Sequence, residues 1–192
     1  PTPEQVAKRD ELTKTLGELK AQLETPSPEE DAQREKFFAD LSAENAARWA
    51  DATLVSASAR GGGTLTPQPD QSVLATGENP EKDEFTLVYK TSATGLNAIS
   101  LEALLDPSMV EGRIGRAFNG NAVLSKLSAK VTSLADPSQS RDIFFNWAWA
   151  DHEQPNGDFR ITSTFHPSPA AGWAVQGYDM KENRLALFRA SE

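Results

Sequence analysis

Cysteine is missing altogether from the 192 residues. Its absence excludes a disulfide framework, a thiolate metal site and a Cys-x-x-Cys-His haem attachment. Histidine is nearly as scarce, with only His152 and His166. Neither stands in a His-Glu-x-x-His frame, and no Gly-x-Ser-x-Gly elbow occurs, so the usual signatures of a catalytic nucleophile or zinc hydrolase are lacking. Positive charge is in deficit too. Nineteen Lys and Arg stand against 28 Asp and Glu, giving a net charge of -9 with no basic cluster. A phosphate backbone needs a positive face, so nucleic acid is not an expected partner. No apolar run approaches the roughly 18 residues of a membrane helix, and no charged-then-apolar leader opens the chain at Pro1. The expectation is a noncatalytic, non-inserting piece from which any leader has been removed.

What is present divides by periodicity at about residue 51. Leu12, Leu16, Leu19 and Leu23 recur at spacings of four, three and four, which places them on one helix face as a coiled-coil-like seam with Val6 nearby. Thr25-Pro26-Ser27-Pro28 breaks that helix. Ser27 is suited to cap a second helix, with Pro28 in its first position and Glu30 as the capping-box acid. Phe37, Phe38, Leu41 and Trp49 follow, so residues 1–51 are predicted to form an α-helical hairpin packed antiparallel through Leu and aromatic contacts.

From Ala52 the period becomes two. Strands are predicted at 53–58, 72–76, 84–91, 98–104, 122–134, 142–150, 159–163, 172–176 and 184–189. Gly61-Gly62-Gly63, Asp106-Pro107, Asp136-Pro137 and Asn156-Gly157 are among the turns between them. Many short strands without intervening helices predict a mainly β fold: a jelly-roll-like antiparallel β-sandwich over residues 52–192, preceded by the helical hairpin.

Three groups of residues are chemically suggestive. The segment from Gly112 to Asn121 combines glycines with the forked donors of Arg113 and Arg116 and the amides of Asn119 and Asn121. These groups suit sugar hydroxyls, or equally the bracing of a turn. Trp147, Trp149, Trp173 and Tyr178 offer flat apolar rings of the kind that stack on pyranose faces, and Trp149 and Tyr178 are the ligand contacts expected from this set. The competing reading is core packing. Trp147 and Trp149 share a parity, on this reading that of the core face, and Trp173 reads as a core anchor behind Gly172. Asp151, Glu153, Asn156 and Asp158 concentrate oxygen ligands suited to calcium. The alternative is a solvated acidic loop with a hairpin turn at Asn156-Gly157.

Several of these stretches, Ser72–Pro80, Ile99–Leu104, Gly115–Ser125, Trp149–Phe159 and Gly172–Val175, together resemble the β-sandwich region of planctomycete cytochrome-c-like multidomain proteins, a galactose-binding or discoidin-like module. The similarity runs from about Leu65 to about Arg189, and the hairpin resembles the coiled linker preceding that module. The resemblance implies a noncatalytic carbohydrate-binding module of an exported parent, extracytoplasmic and flanked by neighbouring domains, with no cofactor of its own beyond calcium. The alternative function is a structural interdomain scaffold with no small-molecule ligand. The stretch Thr162–Trp173 lacks the Asp-Gly-Asp-type turn common before the Gly-Trp pair. Similar sandwiches continue beyond Ser191, so a fragment, or a sheet completed by another segment, is expected.

Overall fold

The computed structural model describes residues 1–24 and 27–191. The expected break at Thr25-Pro26 lies outside the described residues. By its internal contacts the chain divides into two units, Pro1–Thr53 and Leu54–Glu192.

The first unit holds helices α1 (Pro3–Glu24) and α2 (Pro28–Ala46). Thr2 caps α1 through a reciprocal pair that the sequence reading did not identify. Its Oγ1 accepts from Gln5 N at 3.3 Å while its own N–H donates to Gln5 Oε1 at 2.8 Å, satisfying two donors that the helix cannot satisfy itself. Ser27 caps α2 as expected, accepting from Glu30 N at 3.4 Å, with Pro28 in the first turn. Pairs such as Lys8–Glu11 and Lys36–Asp40 run along the solvated faces, each contributing about 0.3–0.5 kcal/mol. The predicted packing between the helices is not found. Neither helix has a buried residue, and the Leu stripe and Phe pair lie open to solvent. Period alone placed the apolar residues on a stripe, but it could not supply the surface that covers them.

The second unit is built from antiparallel strands in several small sheets. Its strands are β1 (Thr53–Ala59), β2 (Gly63–Pro67), β3 (Val73–Gly77), β4 (Phe85–Lys90), β5 (Ala98–Ala103), β6 (Val123–Leu124), β7 (Ala129–Thr132), β8 (Ser140–Ile143), β9 (Phe145–Ala150), β10 (Trp173–Ala174) and β11 (Arg184–Ala190). β11 lies between β5 and β9, and two-stranded pairings join β1 with β4, β2 with β3, β6 with β10 and β7 with β8.

Several expectations are corrected by this pairing. The single strand predicted over 122–134 is two, because β6 pairs with β10 whereas β7 pairs with β8. The strand predicted over 142–150 also divides, and Phe144 marks the change of partner. Its carbonyl accepts from Ser191 N at 2.7 Å and Ser191 Oγ at 3.0 Å. A change of sheet leaves the two-residue period intact and is therefore invisible to it. Residues 161–165 form a 3-10 turn instead of a strand. There Thr164 Oγ1 donates to the Ile161 carbonyl at 2.6 Å and Glu153 Oε1 accepts from Ile161 N at 2.7 Å, so side chains take the backbone groups a ladder would need. Asn156-Gly157 turns the chain from β9 toward that 3-10 turn and does not close a hairpin. β2 has no counterpart among the expected strands; its first residue, Gly63, belongs to the expected glycine turn.

The core lies on the inner face of the β5-β11-β9 sheet. Ile161, Trp173, Val175, Ala186 and Phe188 are buried there, flanked by Leu101, Ala148 and Ala150. Phe145 meets Phe188 edge to face with ring centroids 5.7 Å apart. Trp173 is the core anchor expected of it: it is 1% exposed, and its Nε1–H donates to the His152 carbonyl at 2.7 Å.

Candidate functional site

The outward face of the same sheet carries the most distinctive surface. Cross-strand partners share a face. Ala186 and Phe188 point into the core, as do Ala148 and Ala150 opposite them. Trp147 and Trp149 therefore point outward. A register irregularity between Arg189 and Ala190 lets Phe145 reach the core although its numbering parity matches the two tryptophans. The competing core-packing reading of Trp147 and Trp149 is thus corrected: they are 50% and 45% exposed.

Each ring has basic and apolar neighbours. Trp147 lies opposite Arg189, and Trp149 opposite Leu187. Residues i and i+2 of a strand are roughly 7 Å apart, so the two rings form one row. Trp149 also borders an open groove of about 510 Å³ whose lining takes in the core-side Ala148, Ala150 and Ile161 together with Asp151, His152, Glu153, Arg160 and Thr162. Arg160 and Arg189 are exposed and have no side-chain partner among the described residues. Two guanidinium groups free to donate thus accompany two accessible indoles.

The groove wall is held from within. Asp151 Oδ1 accepts from Leu185 N at 3.1 Å, extending the β9–β11 pairing by one residue. His152 Nε2 lies 2.7 Å from Gln176 Oε1, and Gln176 donates its amide N–H to Asp179 Oδ2 at 3.0 Å. An amide oxygen only accepts, so the imidazole carries a proton on Nε2.

The loop containing Arg113, Arg116, Asn119 and Asn121 is a brace. Arg113 Nη1 donates to the Gly177 carbonyl at 2.6 Å, and its Nε to Glu111 Oε2 at 3.0 Å. Arg116 donates to the Glu78 and Gly77 carbonyls at 3.0 and 2.6 Å. Asn119 Oδ1 accepts from Asn121 N. Asn121 in turn accepts from Gly177 N at 2.9 Å and donates to Gln154 Oε1 at 2.9 Å. The backbone here is in close contact: a Cβ on Gly115 would stand 1.8 Å from the Asn121 carbonyl oxygen. Tyr178 is 41% exposed and follows Gly177, the partner of Arg113 and Asn121; it does not line the Trp149 groove.

The four residues expected to bind calcium do not converge. Among the described residues no three His, Cys, Asp or Glu side chains are grouped to hold a metal. Asp151 and Glu153 are committed to backbone N–H groups, Asp158 bonds Ser163 Oγ, and Asn156 adopts a left-handed turn conformation with φ 63°. Short-range clustering in sequence did not reveal that each acid had a structural bond of its own.

Displaced carboxyl groups occur in three Asp-x-Ser turns. The Ser72, Ser108 and Ser138 hydroxyls, with the backbone N–H of the same residues, hold Asp70, Asp106 and Asp136 below the ordinary aspartate range. The groups missed from sequence are Arg160 and Arg189. The outward parity of Arg189 was available from the Arg184–Arg189 strand, but which parity faced the core was not.

No family model, curated protein or solved structure matches the chain. Among the described residues no helix is long and apolar enough to cross a membrane.

Proposed function

We propose that this chain is a noncatalytic carbohydrate-binding module whose ligand lies across the outward Trp147–Trp149 row. The observation carrying this reading is the pair of half-exposed indoles with unpaired Arg189 and Arg160 beside them. Indole faces stack on the C–H faces of pyranose rings, and guanidinium forks donate to hydroxyl or carboxylate oxygens. On this reading the small sheets are layers of a jelly-roll-like sandwich. The parent is an exported, cytochrome-c-like multidomain protein, as the resemblance implies, and the ligand is bound without calcium.

A structural scaffold is the second reading. It is favoured by the use of Arg113, Arg116 and Asn121 as braces. A glycan array probed with and without calcium separates the two. Reproducible binding that persists in chelator is the expected result. Binding that requires calcium would contradict the proposed site, and silence across the array would favour the scaffold.

A further inference from the structure

We infer that α1 is a self-association surface and that its Leu stripe is covered by a second copy of this chain. The inference is independent of carbohydrate binding, since it rests on the other unit. Leu12, Leu16 and Leu19 are 57%, 54% and 57% exposed, and Leu23 is 89% exposed. Helices in proteins are held mainly by packing an apolar face. The 22 residues of α1 contain no buried side chain, so the described chain leaves that stabilising contact unmade.

The pattern specifies the kind of surface that fits. Spacings of four, three and four are those of a and d positions, which insert as knobs into the holes of a facing helix with the same repeat. Residues flanking the seam are Thr13, Thr15, Lys20 and Gln22. Lys20 is the only charge among them, so no row of like charges opposes a second copy.

The area is also sufficient. The exposed parts of the four leucines amount to roughly 500 Å² per chain, or about 1,000 Å² over two copies, the lower end of a specific interface. Phe37, Phe38 and Leu41 of α2 are 60%, 58% and 49% exposed. They are further exposed apolar area in the same unit.

Sedimentation equilibrium of the whole chain over a concentration series tests the inference. The expected species at high concentration has twice the 20.8 kDa chain mass, and Leu16→Glu with Leu19→Glu returns it to monomer. Lys14→Gln, on the far side of the helix, should retain the dimer. Because both leucines are solvent-exposed, unchanged near-ultraviolet circular dichroism of the double variant shows that the sheet unit is intact. A monomer at every soluble concentration would overturn the inference. So would a dimer that survives the double substitution, or one lost equally in Lys14→Gln.

Discussion

Trp173→Ala separates the two roles that tryptophan plays in this chain. Trp173 is buried among Ile161, Val175, Ala186 and Phe188, and its truncation should cost about 3–5 kcal/mol in lost packing. It also removes the donor to the part-buried His152 carbonyl, and leaving that acceptor unsatisfied adds about 1–3 kcal/mol. The sum, about 4–8 kcal/mol, is a large share of the roughly 5–15 kcal/mol that holds a domain folded. At a urea slope of about 2 kcal/mol/M the midpoint should fall by about 2–4 M, to the edge of unfolding in buffer. Trp173→Phe keeps most of the ring but loses the donor, and should cost about 1–3 kcal/mol. Trp149→Ala removes a half-exposed indole from the outer face and should cost less than about 1 kcal/mol. Urea titrations followed by circular dichroism, in parallel on the three variants, give the comparison. Equal losses for Trp149→Ala and Trp173→Ala would refute the assignment of inner and outer faces.

Two further predictions concern the loops. Gly115→Ala places a methyl group against the Asn121 backbone and should cost about 2–3 kcal/mol. That corresponds to a fall in Tm of about 5–10 °C, and an unchanged Tm would show that the loop is not closely packed. The carboxyls of Asp70, Asp106 and Asp136 are held down in the folded state by serine hydroxyls and backbone N–H groups. The folded state binds these protons less readily, so the contribution is complete above the unfolded aspartate value and is lost as pH falls through the lower folded values. Carboxyl titration by NMR should place all three midpoints below about 3.9, and Ser138→Ala should raise that of Asp136. Midpoints at or above that value would contradict the turn geometry.

Residues whose local chemistry decides their structure were legible from the sequence. Ser27 and Pro28 start α2 because a hydroxyl acceptor and a missing N–H suit a helix N-terminus regardless of surroundings. The alternation in 184–189 yielded β11 for the same reason. Choices made by distant partners were not legible. The parity of Trp147 and Trp149 fixed that they share a face, but Phe188 and Ala148 determine which face is the core. The change of sheet at Phe144 depends on β7 and β11, neither of which is local. Asp151, Glu153 and Asp158 resembled a ligand set because acids cluster in the sequence, whereas their oxygens are used by Leu185, Ile161 and Ser163. Arg113 and Arg116 likewise carry the right donors for a sugar and direct them at backbone carbonyls.

The most direct test of the central claim is calorimetric titration of the tightest-binding glycan into the wild-type chain and into a variant carrying both Trp147→Ala and Trp149→Ala. Because both indoles are half-exposed, the variant should keep its fold. The expected result is saturable binding to the wild-type chain, unchanged by calcium chelation and lost in the variant. Equal binding by the two proteins would place the ligand elsewhere and contradict the claim.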